Sequence, residues 1–578
     1  MKGTKAVLAV VALALLVGVT SLANAQGVKF LGVGSSAMFT DSAVAVFNSI
    51  CSQRTGSDCH HYSIKGKNSA DGQNYAQAVD QRSASIPVEG GNLWVVWDNN
   101  TSPVTVWAYL TVDTIVGNRL FFAAPRAQLQ VDSGVLSTAG QNLIVANLFF
   151  NAQTGTNQAD DASLPSNVLT VIQTTFTAAI SDVRPEDAKF ATNRILKPLN
   201  SKNYTGLGYG TTSANCPSAT SLIGCAIVGS WGGATAHPIQ YNLSGKDPFT
   251  GAKLPKYTVI PYGVDPIVFV YNDTNASGLG AGGFTDWTYA QATQFYEGKK
   301  GLVQDLPGAL GTGSLSVLLR EPLSGTYTTT EMNTFRVLLQ NAKTHKWAAA
   351  PVDSQEFGVN LANPNTNPLN LASADGGVRL RGIGTGQVIS GNGGVGGVQH
   401  IADSIGYTFF SYGNVAAITS VAKYLTLDGV DPINDTYSDG TLPTCTAPCP
   451  ITPGTSFPHI RDGSYRTWSI LRVITDASGQ NLTNAQSIVT AAQNLVNETV
   501  PDFVPATATS DGDPGMLYLK SHFKLAGATK GVISNIPENG GDAGGCPFLA
   551  SGPNKNVIGL HLNGSNTWGA CDLSADHN

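Results

Sequence analysis

The sequence predicts an α/β protein of more than one domain, on three observations. Short strand-like runs alternate with helix-like ones and no internal repeat is visible, the pattern of helices layered on sheets. The chain has 578 residues, more than one hydrophobic core usually supports. Only 12% of residues are Asp, Glu, Lys or Arg, against about 25% in an average soluble protein, so Asn, Thr, Ser and Gly must carry the surface.

The opening residues have the form of a secretory leader. Lys2 and Lys5 flank the start of an apolar run over residues 6–19, and Ser21-Leu22-Ala23-Asn24-Ala25 supplies small residues suited to cleavage after Ala25. The run is short for a bilayer span, so residues 1–25 are expected to be a signal peptide and the mature chain to be periplasmic or secreted. The formal net charge of −6 becomes two units more negative without Lys2 and Lys5, and an acidic chain poor in charge is a poor partner for nucleic acid. Eight cysteines fall into four neighbouring pairs: Cys51 with Cys59, Cys216 with Cys225, Cys445 with Cys449, and Cys546 with Cys571. Export permits disulfides, and an even count at local spacings suggests that each pair closes a loop. The alternative at Cys445 and Cys449 is a metal site, although no further Cys or His stands near them. No cofactor is expected.

Along the chain, residues 30–36 read as a strand breaking into a Gly/Ser turn, with a helix over 41–50. Free amides at such a turn favour an anion. Residues 93–97, 104–110 and 120–122 are short β-rich runs. A helix is expected over 167–179, strands over 258–262 and 267–271, and an amphipathic helix over 288–297. A strand over 315–319, a helix over 328–341, a Gly-rich stretch over 382–397 and a strand over 405–410 follow. Residues 430–465 read as a long loop.

Two segments carry chemistry. In Arg320-Glu321-Pro322-Leu323-Ser324-Gly325-Thr326 a strand hands over to a helix. The guanidinium fork suits a tetrahedral oxyanion, Ser324 and Thr326 offer hydroxyls, and Gly325 permits close backbone approach. The plainer reading is a capped helix beside a surface arginine. In Ala178-Ala179-Ile180-Ser181-Asp182 an apolar run ends in a carboxylate, before a helix start at Pro185. Asp182 either caps that helix or accepts a hydrogen bond from a ligand, and only a protonated oxyanion has a hydrogen to give.

The order of these features resembles the phosphate-binding proteins of bacterial phosphate ABC transporters, within the two-lobed type II periplasmic-binding fold. The resemblance is carried by residues 32–47, Ser181-Asp182, 261–271, 288–299, 320–326 and 393–412, about a third of the chain. It implies a monomeric binder of phosphate or a related oxyanion, without catalysis, that serves an ABC importer's membrane component. It implies Arg320 as cationic clamp, Ser324 and Thr326 as hydroxyl donors, Gly325 as an amide donor, and Asp182 as the acceptor that selects a protonated ligand. Ser36, Ala37 and Phe39 would serve at the first turn, with the register open, and Ser69 at a second turn. The family has an acidic residue two places after the arginine, where this chain has Pro322. The lobes would be 26–262, with a β-rich insertion over about 63–166, and 263–405. Residues 406–578 would return to the first lobe and add a disulfide-stapled extension. Hinges are expected near 261–265 and 405–407.

Two other classes stay open. An extracellular structural or adhesive protein could reuse the fold, with Trp94, Trp97 and Trp107 as a surface or, more simply, as core. A secreted hydrolase is the weaker alternative, because the chain has no G-x-S-x-G, H-E-x-x-H or Walker-type motif. His60 and His61 read as loop surface.

Overall fold

The computed structural model describes residues 27–51, 59–64, 75–82, 86–132, 148–151, 156–185, 188–189, 241–320, 323–335, 340–341, 346–347, 370–372, 374–382, 384–391, 397–410, 421–434, 437, 440, 459, 465 and 467–498. The leader, Ser69 and six of the eight cysteines lie outside them. Cys51 and Cys59 come together with Cα atoms 5.2 Å apart, the spacing of a disulfide.

The fold is mixed α/β. Among the described residues its centre is a twelve-stranded sheet. In chain order the strands are β1 (Val28–Gly34), β2 (Cys59–Ile64), β3 (Leu93–Asp98), β4 (Thr105–Thr111), β5 (Ala178–Ser181), β6 (Tyr257–Asn272), β7 (Ser316–Arg320), β8 (Asn370–Ala372), β9 (Val378–Gly382), β10 (Ser404–Phe409), β11 (Ala422–Tyr424) and β12 (Trp468–Asp476). Their spatial order is β8-β9-β7-β10-β6-β12-β5-β1-β4-β3-β2, with β11 also on β6. Among the described residues the α-helices are α1 (Phe39–Ile50), α2 (Thr114–Phe121), α3 (Ser166–Ile172), α4 (Tyr289–Tyr296), α5 (Gly325–Thr330), α6 (Thr385–Ser390) and α7 (Gln480–Glu498).

Strand alternation places helices on both faces of the first half of the sheet. Phe30, Ala178 and Ile180 pack with Val44 and Phe47 of α1 and Ile488 and Val489 of α7. Leu31, Val33 and Ala179 pack on the other face with Ile115 and Leu120 of α2 and Val168 and Ile172 of α3. In the second half an aromatic cluster of Phe269, Trp287, Tyr296, Phe335 and Tyr407 fills the space between α4 and the strands. Thr288 closes α4 with a reciprocal capping box to Gln291.

β6 and β12 join the two halves. Tyr257 to Pro266 pair with Asp476 to Trp468, and Ile267 to Asn272 pair with β10. The ladder slips between Pro261 and Gly263, leaving buried Tyr262 as the extra residue. Pro261 has no amide to give the ladder, so a bulge there follows from the sequence. Residues 405–407 instead lie within β10 and pair with the second half of β6, and β11 pairs there too. The second crossing is therefore β12.

Several expectations shift. The stretch 63–166 supplies β3, β4 and α2 to the main sheet and its flank, with β4 directly beside β1, so much of it is framework rather than insertion. Residues 178–181 form β5, cutting short the helix expected over 167–179, because an apolar run of this length suits a buried parallel strand. Leu120 and Phe121 end α2 rather than forming a strand. The helix expected over 328–341 starts at Gly325 and leaves α geometry at Glu331–Phe335. His60 and His61 sit in β2, not in a loop. His60 stacks on Trp97, and His61 is buried against Phe149, where burial lowers its pKa to about 4. Trp94 and Trp97 are core.

A buried charge network braces the first half. Asp80 pairs with Arg82 at 2.8 Å and with Arg119 of α2 at 2.9 Å, and Arg82 reaches Asp247 at 3.2 Å. Burial opposes ionisation of Asp80, yet the two arginines hold its carboxyl down to about 2. Asp80→Asn leaves the buried Arg119 charge without its counter-ion and should cost about 3–5 kcal/mol, read as a lower urea midpoint at unchanged slope. A midpoint within error of the parent would show that the network is solvated.

Candidate functional site

Five strand ends meet between the two halves: those of β1, β4 and β5 from one side, and β7 and β9 from the other. Carboxyl ends of parallel strands are where α/β sheets hold ligands, because the chain leaves them in loops that lead into helices. Here they deliver Ser35, Asp113, Asp182, Arg320 and Thr385.

Gly34 ends β1 at φ 143°, and a side chain there would overlap the Ile180 carbonyl oxygen. Only glycine lets the first turn lie this close to β5. Ser35 then accepts the Ala37 amide at 3.1 Å and starts the short helix that leads into α1. Of the residues expected here, Ser36 is exposed, Ala37 is buried and donates its amide to Ser35, and Phe39 is buried at the start of α1. The hydroxyl facing the site comes from Ser35, one residue before Ser36.

Asp182 is almost wholly buried. Ser35 and Thr114 hydrogen-bond to its carboxyl group, and Arg472 of β12 reaches its carbonyl oxygen at 3.4 Å. Neighbouring Ser181 accepts from Asn118 of α2 at 2.9 Å and donates to the Val183 carbonyl at 2.6 Å, which fixes the turn. Among the described residues, Asp182 Oδ1 is buried without a hydrogen-bond partner. Burial pushes the Asp182 pKa up to about 6, against the pull of the Ser35 and Thr114 hydroxyls and the charge of Arg320.

Arg320 comes from the opposite half. Its guanidinium donates to Asp113 Oδ1 at 3.1 Å and to the Thr385 hydroxyl at 2.7 Å. Ser324 caps α5 by accepting the Tyr327 amide at 3.3 Å, and Thr326 is buried in the first turn. The Ile115 amide of α2 donates to the Leu323 carbonyl at 3.0 Å, so the halves touch directly. A side chain on Gly325 would overlap Asp182 Oδ2 and Thr114 Oγ1.

Asp182, Arg320 and Gly325 thus come together, with Ser324 and Thr326 on the adjoining turn. Asp113, Thr114, Ser35, Thr385 and Glu89 were missed. Glu89 accepts the Asp113 amide at 3.1 Å, and burial followed by the charge of Asp113 raises its pKa well above the usual range. The available signal was Thr111-Val112-Asp113-Thr114, a strand running into an acidic N-cap. Among the described residues, no group of three or more His, Cys, Asp or Glu side chains could hold a metal ion.

Among solved structures, the chain is similar to an ABC-type phosphate transport receptor from Vibrio cholerae, at 13% identity over 44% of this chain and 76% of that one, with a TM-score of 0.25. It is similar to the phosphate binding protein from Stenotrophomonas maltophilia at 14% identity over 60% and 81% of the two chains, with a TM-score of 0.27. It is also similar to a high affinity periplasmic phosphate-binding protein bound with phosphate, at 14% identity over 70% and 89%, with a TM-score of 0.26. No protein-family model and no curated protein matches the chain.

Proposed function

We propose that the chain is an extracytoplasmic solute-binding protein that captures phosphate or a similar protonated oxyanion between two lobes, for an ABC importer. The observation that carries this reading is the meeting of Arg320 from one half with Asp182 from the other, whose buried Oδ1 has no hydrogen-bond partner among the described residues. Arg320 attracts the anion, and Asp182 takes a hydrogen bond that only a protonated oxyanion can give. Ser35, Thr114, Ser324 and Thr326 add hydroxyls around it, and Gly325 adds a backbone amide. The halves part at β6 and β12, bending at the Tyr262 bulge, to let the ion enter. The leader-like N-terminus agrees with a periplasmic or secreted site of action.

Titration calorimetry with phosphate, arsenate and sulfate tests the reading. Phosphate and arsenate should bind at micromolar strength, about 8 kcal/mol, with sulfate far weaker. Arg320→Ala should weaken phosphate about 10- to 100-fold, the loss of a charged hydrogen bond. No heat from any of the three oxyanions would overturn the reading. Gly325→Ala should hold the halves apart, weakening phosphate at least about tenfold and enlarging the radius of gyration in solution scattering. Unchanged binding in that variant would mean that closure does not pass through Gly325.

Asp182 also sets a pH dependence of stability. Its folded pKa, raised from 3.8 to about 6, means that the folded chain keeps a proton the unfolded chain releases between those values. Stability from this group is full at about pH 4 and below and is lost as pH rises through about 6. Asp182→Asn should therefore be more stable than the parent at neutral pH, by up to about 3 kcal/mol, with the gap closing in acid. Denaturant titrations at both pH values would show it, and a gap independent of pH would contradict it.

A further inference from the structure

We propose that Asp113 is a second acceptor carboxylate of this site, which makes the site select an oxyanion carrying one negative charge and two protons. The inference rests on the oxyanion reading above and goes beyond the single acceptor expected from the sequence.

Asp113 stands at the N-cap of α2, where an aspartate ordinarily turns back to accept an amide of the first helical turn. It makes no such bond. Its side chain instead pairs with Arg320 across the halves, and its own amide is held by Glu89. The described charged groups around it come from several elements. Glu89 comes from the strand Ile86–Gly90, Arg320 from β7, and Asp182 from the end of β5, with Arg472 of β12 behind Asp182. Arg119, on the same helix, is committed to Asp80. Among the described residues, the Arg320 guanidinium thus acts on three carboxyl groups, those of Asp113, Glu89 and Asp182.

An oxyanion seated against Arg320 and Asp182 also meets Asp113. A carboxylate oxygen and an oxyanion oxygen approach to hydrogen-bond distance only with a proton between them. Two such carboxylates ask for two protons, which monobasic phosphate has. Dibasic phosphate and the phosphite monoanion each carry a single hydroxyl proton.

The test is calorimetry of the full chain and of Asp113→Asn with phosphate and phosphite, on the acid and the alkaline side of phosphate's second ionisation. The parent should bind phosphate at least about tenfold more tightly than phosphite in acid, and lose at least about tenfold in phosphate affinity on the alkaline side. Asp113→Asn should lose most of both differences. If the variant does not fold, the parent's two ratios still decide, and values near one overturn the proposal. Equal pH dependence in parent and variant overturns it as well and leaves the oxyanion reading standing. No phosphate heat from the parent at either pH overturns both.

Discussion

The ion pair between Asp113 and Arg320 is the contact on which the site depends, because it is formed between strand ends that belong to different halves of the sheet. Both side chains are nearly buried. A buried pair gains little net stability once both charges have been stripped of water, so its main effect is positional. It sets the guanidinium plane, with Thr385 fixing the second nitrogen. Under the proposed reading, an anion arriving there would meet donors already oriented, the cost of ordering a long arginine side chain having been met in folding.

The sheet makes this meeting possible. β1, β4 and β5 run parallel, as do β7, β9 and β10, while β12 is antiparallel to β5 and β6 is antiparallel to both β12 and β10. The antiparallel pair in the middle lets the carboxyl ends of two parallel sets converge on one another. The same pair connects the two halves, and its ladder is broken at the Tyr262 bulge. A proline-interrupted strand is a poor spacer but a good place to bend, since the missing amide removes one bond that bending would have to break.

Arg320 and Asp182 were legible because each sits where a strand stops and a charged residue begins, a junction visible in a few consecutive residues. Ser35 was misplaced by one position, since Ser35 and Ser36 are chemically identical and only the φ of Gly34 decides which one turns inward. Asp113 and Thr114 stayed hidden for a different reason. Residues 93–111 look like an added β region, and nothing local says that β4 lies against β1, which is a long-range pairing. Asp182 partners with Ser35, Thr114 and Arg320 through contacts that periodicity does not encode. His61 shows the converse, a polar residue that reads as surface yet is stacked between Phe47 and Phe149.

Helix α2 links the brace to the site. Its N-cap is Asp113, its first residue Thr114 hydrogen-bonds to Asp182, and Asn118 holds Ser181 beside that aspartate. In its last turn, Arg119 locks into Asp80. The positive end of the helix dipole therefore faces the carboxylates, and the arginine lies toward the negative end, so both charges favour the helix in this orientation. A helix of eight residues is marginal alone. Anchored at both ends, it cannot slide along β1 and β5 without breaking a buried ion pair or a buried hydrogen bond. The rigidity that positions Asp113 opposite Arg320 thus originates at Asp80, near the other end of α2, and the charges buried there support the placement of Asp113 from a distance.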